Sequence, residues 1–346
     1  METFFDLTKF ILSAAVSTFI GKRVLSCTWE LTHRCTGKCK ICNYWKNPST
    51  SDEELELGHI QIGLEKIYSY GCRWVNFTGG EPTLRADLEE IVQYASKLGM
   101  WTTMVTNGSL LTRERIQMFK KVGLGSMFIS LDSTNPQAHD KQRGISGSFA
   151  QVLKSLRWLH EEFLSSYRIG GIMCVLTREN MPTYAEILKL ADDLGVYVVF
   201  QPYHANKTGN KSDIAELSKK RVDGILEASR EFNNLLCTKT YIKGFTVYNK
   251  QGPLPPCHAG LKYFSIDPLG FLHPCVDMPR AGHLLKDDMS VIRSEEALRN
   301  VRSCPGCWYN FRGEGDATLS LKGYFEKLRL GLMILKKNKS FQNRLN

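Results

Sequence analysis

An α/β fold on a parallel sheet, followed by a small cysteine-rich C-terminal module, is predicted by three observations. Six apolar segments rich in β-branched and aromatic residues, near 24–30, 73–78, 101–105, 126–131, 169–176 and 196–200, read as strands. Between them, stretches near 53–70, 85–98, 112–122, 148–164 and 182–194 carry apolar residues on one face and read as helices. Strands alternating with helices imply parallel pairing through crossovers, and 346 residues at 42% apolar composition suffice for one large core with an appendage. After a lysine-rich helical stretch from Ser212 to Asn233, Pro253-Leu254-Pro255-Pro256 marks a boundary, and the chain turns cysteine-rich.

The first strand runs into Thr32-His33-Arg34-Cys35-Thr36-Gly37-Lys38-Cys39-Lys40-Ile41-Cys42, three thiols within eight residues. Three cysteines can hold only three corners of a cubane, so a four-iron cluster bound here keeps one iron open for chemistry. A zinc knuckle with a distant fourth ligand is the competing reading, although the gaps here are three and then two residues. Gly79-Gly80-Glu81-Pro82 closes the second strand, and Val105-Thr106-Asn107-Gly108 follows the third. Ser130-Leu131-Asp132 follows the fourth, and Arg143-Gly144 with Gly147-Ser148-Phe149 precedes a helix.

In this order over roughly residues 24–310, these landmarks resemble the radical S-adenosylmethionine (radical SAM) superfamily. The resemblance implies a partial (β/α)6 TIM-type barrel with its chemistry in the loops at the carboxyl ends of the strands. It further implies that Cys35, Cys39 and Cys42 bind a reducible [4Fe-4S] cluster whose open iron chelates the amino and carboxylate groups of S-adenosylmethionine. One electron, from a donor such as flavodoxin or ferredoxin, then yields methionine and a 5′-deoxyadenosyl radical that removes hydrogen from substrate. By the same resemblance Gly79, Gly80 and Glu81 hold the methionyl ammonium. Ser130 and Asp132 meet the ribose, with Asn107 on a neighbouring strand end, and Arg143 pairs with the methionyl carboxylate. Strand-terminating turns are the plainer reading of Asp132 and Asn107, and a surface cation that of Arg143. Many relatives carry an aromatic residue where this chain has Ile41, so Ile41 is expected beside the adenine, with Tyr44-Trp45 as an alternative aromatic wall.

Cys257, Gly270, Cys275, Cys304 and Cys307 resemble the shortened, SPASM-like auxiliary-cluster module called a Twitch domain. That module would hold a second [4Fe-4S] cluster on Cys257, Cys275, Cys304 and Cys307; a four-cysteine zinc site is the rival. Cys27, Cys72, Cys174 and Cys237 lack metal-like spacing and read as buried thiols. His204, His258, His273 and His283 read as ordinary polar residues within reach of substrate or clusters. The chain thus divides into an amphipathic helix (1–23), the barrel (24–235), the auxiliary module (236–312) and a basic amphipathic tail (313–346).

Eleven cysteines without a signal-peptide pattern point to the reducing cytoplasm. The net charge of +10 is concentrated at the end: from Ser320 onward there are seven basic residues and one acid, Glu326. Tail and amino terminus are both apolar with basic flanks, so they either pack on the barrel or lie on the inner face of a membrane as a peripheral anchor. The run Phe10–Ile20 falls short of the ~20 residues of a spanning helix. These ends favour a lipid or lipid-linked substrate. A ribosomally made peptide is the main rival, nucleic acid is disfavoured for want of stacking aromatics, and a zinc-stabilised binding module is the non-enzymatic alternative.

Overall fold

The computed structural model describes residues 26–165, 167–249, 256–317 and 320–345. The amino-terminal segment 1–23, on which an amphipathic helix was expected, and Pro253–Pro255 lie outside the described residues. Nine strands form one sheet in the order β6-β5-β4-β3-β2-β1-β7-β8-β9. Strands β1 (Ser26–Thr32), β2 (Trp74–Gly79), β3 (Trp101–Thr106), β4 (Ser126–Ser130), β5 (Ile169–Leu176) and β6 (Tyr197–Pro202) pair in parallel in chain order. This is the open six-strand barrel, within one or two residues of the predicted strands.

Helices α1 (Leu57–Tyr70), α2 (Leu88–Lys97), α3 (Arg113–Lys121), α5 (Ser148–Trp158) and α6 (Tyr184–Asp193) form the crossovers, joined by a short α4 (Pro136–Arg143) after β4. Each places an apolar stripe on the sheet: in α2, Leu88, Ile91, Val92 and Ala95 are buried at helical spacing. Local signals set the ends, as where Thr112 accepts from Arg115 N to cap α3, and Asn135 with Pro136 starts α4. Two expected helices differ from the reading at one end. The 148–164 stretch finishes as a π turn over Leu159–Phe163, and α7 (Lys219–Phe232) begins only after Ser218.

The cysteine-rich region is continuous with the barrel. Following α8 (Lys239–Asn249), strand β7 (Tyr263–Ile266) pairs in parallel with β1, extending the sheet past its first strand. It then forms the predicted hairpin with β8 (Phe271–His273), and β9 (Gly282–His283) adds a further rung. The chain closes with α9 (Glu295–Arg302), α10 (Asn310–Ala317) and α11 (Leu321–Leu345). Cys27, Cys72, Cys174 and Cys237 are buried, and all eleven cysteines are free of disulfides.

Candidate functional site

One cavity of about 220 Å³ opens at the carboxyl ends of the barrel strands. Cys35, Cys39, Cys42 and Ile41 line it, together with Gly79, Gly80, Asn107, Ser130 and Arg143. The loop between β1 and α1 is held there by backbone. Lys38 N donates to Arg143 O (3.0 Å) and Lys40 N to Gln142 O (3.1 Å), so the carboxyl end of α4 grips the middle of the cysteine loop. Gly144 ends α4 at φ 63°, and a Cβ there would press to 2.8 Å on Lys38 O.

The two glycines after β2 serve the same loop. Gly80 N donates to Thr32 O (2.7 Å) and Glu81 N to Arg34 O (2.8 Å). Gly79 sits at φ 130°, and a Cβ on either glycine would collide with main-chain oxygens of residues 32–34. The Gly-Gly pair therefore lets two strand ends touch, beyond any approach to a cofactor. The Glu81 carboxylate faces the interior, accepting from Thr83 N (3.1 Å), Thr106 Oγ1 (2.7 Å) and Asn107 N (2.7 Å), and so ties the ends of β2 and β3 together. Asn107 Nδ2 donates to Thr36 Oγ1 (2.9 Å), anchoring the loop again.

Asp132 lies behind the cavity wall. Its Oδ2 pairs with Arg143 Nη2 (2.6 Å), and its Oδ1 accepts from Val175 N (3.0 Å). Arg143 is buried and is not a surface cation; despite the burial, Asp132 holds its guanidinium above its ordinary pKa. Ser130 reaches the cavity directly. Of the residues expected around S-adenosylmethionine, the structure thus gathers Gly79, Gly80, Asn107, Ser130, Arg143 and Ile41 on one surface, and places Glu81 and Asp132 in the layer supporting it.

Burial raises the Cys35 thiol to about 11, against the lowering effect of the Gly37 N–H at 3.4 Å from its sulfur. Burial also raises Cys39, opposed by nearby Arg143. Among the described residues no group of three or more His, Cys, Asp or Glu side chains is placed to hold a metal ion. Three thiols on one cavity wall, with an N–H and a guanidinium beside them, nevertheless fit the donor chemistry of a cluster bound through three irons.

Of the opposite wall, sequence reading singles out only His204 and the rim pair Tyr44-Trp45. Gln201 stands near the end of β6, Tyr203, His204 and Lys207 follow it, Tyr309 comes from the auxiliary region, and Tyr44 and Trp45 complete the rim. His33 stacks on Tyr44 at 4.6 Å between ring centres, and Tyr44 and Lys207 converge on buried Glu30. His204 is 4% exposed; its Nε2 accepts from Trp308 N (3.1 Å), which puts the ring proton on Nδ1. Burial pushes this imidazole down to about 3, so it is neutral.

Beyond Tyr309 lies the second cysteine group. Cys257 and Cys275 pack with Ala259, Tyr263 and Val301, Tyr263 Oη is 2.9 Å from Cys257 Sγ, and burial, with nearby Cys307, raises the Cys275 thiol. Cys304 sits on the Cys-Pro-Gly-Cys turn, its sulfur accepting from Gly306 N (3.4 Å). Buried Arg312 donates to Cys307 O (2.6 Å) and supplies a cation to the group. Gly270 stands at φ 86° in the β7–β8 turn.

Comparison with known proteins agrees with this geometry. Residues 29–191 match the family model described as the radical SAM superfamily. An AdoMet-dependent heme synthase of Oleidesulfovibrio alaskensis is 30% identical over 167 residues, 48% of this chain and 42% of that protein. A PqqA peptide cyclase of Rhodopseudomonas palustris is 26% identical over 294 residues, 83% of this chain and 75% of the cyclase. The crystal structure of Streptococcus suis SuiB bound to precursor peptide SuiA superposes with a TM-score of 0.66 at 14% identity, covering 91% of this chain and 77% of that one, a likeness of fold. The chain spans about half the length of the heme-synthase-type relatives it matches. Residues 29–191, just under half of the chain, are thus a radical SAM domain.

Proposed function

We propose that the protein reductively cleaves S-adenosylmethionine and abstracts hydrogen from a peptide substrate, with a [4Fe-4S] cluster on Cys35, Cys39 and Cys42. An auxiliary [4Fe-4S] cluster sits on Cys257, Cys275, Cys304 and Cys307. The observation that carries this is the convergence of the three-cysteine loop, the Gly79-Gly80 turn, Ser130 and Arg143 on one cavity. When bound, cluster and S-adenosylmethionine supply a 5′-deoxyadenosyl radical. The chain's own work is positional. Gly80 and Arg143 fix the loop through main-chain bonds, Glu81 locks β2 to β3, and the buried Arg143–Asp132 pair holds the wall against the cofactor's carboxylate. Trp45 Nε1 donates to Cys39 O (3.1 Å) and helps to close the rim over the loop, keeping water from a reactive radical.

A peptide is favoured over the lipid suggested by the terminal segments for two reasons. The relatives covering most of this chain are named for peptide chemistry, a PqqA peptide cyclase and the subtilosin biosynthesis protein AlbA of Bacillus subtilis. The cavity, at about 220 Å³, is below the ~300–1,000 Å³ of pockets that enclose whole small ligands. Cofactor and a large substrate are not enclosed together, which suits a chain presenting one residue at the mouth. The electron comes from a flavodoxin- or ferredoxin-type donor in the cytoplasm, where eleven free thiols stay reduced.

The test is anaerobic reconstitution with iron, sulfide and deoxyadenosine measured together. About eight irons per chain and reductive cleavage lost in each of Cys35→Ala, Cys39→Ala and Cys42→Ala are expected, with Cys304→Ala and Cys307→Ala retaining cleavage at about four irons. Zinc without sulfide refutes the cluster reading. Deuterium carried into deoxyadenosine from a deuterated tetrapyrrole, and not from deuterated peptides, moves the substrate to the heme-synthase class.

A further inference from the structure

The C-terminal helix α11 docks on the barrel by its polar side. Glu326 Oε2 accepts from Thr240 N (2.8 Å), and Lys337 Nζ donates to Asp192 Oδ1 (3.0 Å) and Phe232 O (3.2 Å). Asn338, 1% exposed, accepts from Tyr197 Oη (2.7 Å) and donates to Arg168 O (3.2 Å). Four apolar residues are left outside, while Tyr324, Leu330, Met333, Ile334 and Leu335 are partly covered. Leu321, Phe325 and Leu332 are 68%, 64% and 60% exposed, and Leu328 is 37% exposed. Spaced by four, three and four residues, they make one stripe rising about 16 Å along the helix. Of the nine large hydrophobic side chains exposed among the described residues, these are four, and the other five are scattered over separate parts of the chain.

Beside the stripe, at intervals of seven, run exposed Lys322, Arg329 and Lys336. The one acid of this helix, Glu326, is turned to the barrel by its bond to Thr240. Among the described residues no helix is long and apolar enough to cross a membrane. We propose that this face of α11 lies along an anionic lipid surface, the four apolar side chains in the acyl boundary and the three cations among the headgroups.

Charge selects this occupant over the others. A second copy would bring the same three cations against the first. The chain's own apolar residues 4–20, laid on the stripe, would cover it and leave the cationic row unmatched. A sheet of anionic headgroups satisfies both rows at once. The inference is independent of which substrate the barrel accepts.

The experiment is co-sedimentation of the full chain with vesicles of phosphatidylcholine alone and with 30% phosphatidylglycerol, at low and high salt. Binding to the anionic vesicles only, and weakening with salt, is expected. Neutralising Lys322, Arg329 and Lys336 to Gln should weaken it about a hundredfold, from about 1 kcal/mol per near-surface basic residue. Phe325→Asp with Leu332→Asp should abolish it while leaving the melting temperature unchanged, because both side chains are exposed. Recovery in the supernatant with both vesicles overturns the proposal, as does equal binding to both. Binding untouched by either variant but lost on deleting residues 1–23 assigns the membrane contact elsewhere. A dimer in the absence of lipid that Phe325→Asp dissociates assigns the stripe to a second copy and overturns it as well.

Discussion

Replacing Gly80 with Ala should unseat the cysteine loop without touching a cysteine. A Cβ at this position would stand 2.7 Å from His33 O and nearer still to Arg34 O, and both are main-chain atoms that cannot rotate away. Ordinary contact begins at 3.4 Å, so the nearer carbonyl oxygen, and the segment entering the loop with it, must retreat by about 1 Å. That retreat strains Gly80 N–Thr32 O and Glu81 N–Arg34 O, the two bonds joining the end of β2 to the start of the loop. Overpacking of this kind costs about 1–3 kcal/mol, and losing one backbone hydrogen bond costs about 1 kcal/mol more. At roughly 2 cal/mol/K of unfolding entropy per residue, the melting temperature should fall by about 3–6 °C. Because Cys35 follows Arg34 directly, the barrel cluster should be lost with it. The assay is calorimetry of the apoprotein and iron content after anaerobic reconstitution. Gly58→Ala is the control, since it lies exposed in α1 with no atom within 4 Å of its added Cβ and should gain about 0.5–1 kcal/mol. A Gly80→Ala protein that melts with the wild type and holds the same iron would refute the argument.

Asp132→Ala leaves Arg143 as an uncompensated buried cation and should lower unfolding stability by about 3–5 kcal/mol, read from denaturant midpoints; a change below 1 kcal/mol would mean the pair is not what holds the wall. Burial pushes His139 down to about 4 and His204 to about 3, whereas in the unfolded chain both protonate near 6.5. The folded pKa values are depressed, so the stability these rings contribute is present above about pH 6.5 and is lost as pH falls toward 4 and 3. The melting temperature should therefore decline below pH 6.5, and His139→Gln should flatten the slope by about one proton. His204→Phe removes the Nδ1 proton, which has no partner among the described residues. Deoxyadenosine release without substrate should persist in that variant while deuterium transfer from a deuterated peptide drops at least tenfold; equal loss of both activities would make His204 a packing residue only.

The barrel was legible because each parallel strand is a short apolar run and each crossover helix keeps its buried stripe. Helix α4 was not, since Pro136–Arg143 is mostly polar, with Ala138 its one small apolar side chain after Pro136, and buries only His139 and Arg143, leaving no apolar period to read. Helix α8 was hidden by β-branched residues and a mid-helix Gly244, whose missing side chain makes room for the Trp308 ring. The cysteine wall is contiguous in sequence and was found from spacing. The facing wall joins Gln201, His204 and Lys207 to Tyr309, which only the tertiary fold brings together. Glu81 and Asp132 show the remaining limit: a motif position predicts where a carboxylate stands along the chain, and its neighbours decide whether it faces the cavity or the protein behind it.

The pairing of β7 with β1 bears on how such a protein can be taken apart. A cut at residue 235, at the boundary that composition suggests, would strip the outer side of β1 and leave the backbone of Ser26–Trp29 unpaired along a strand whose Cys27 and Trp29 are buried in the whole chain. Exposed edges of that kind recruit other chains. A severed barrel should therefore precipitate where the whole chain does not, and an exchange of auxiliary modules between relatives would have to carry its own replacement for Tyr263–Ile266. The strand that leads into the cysteine loop is thus also the seam by which the C-terminal third is sewn on.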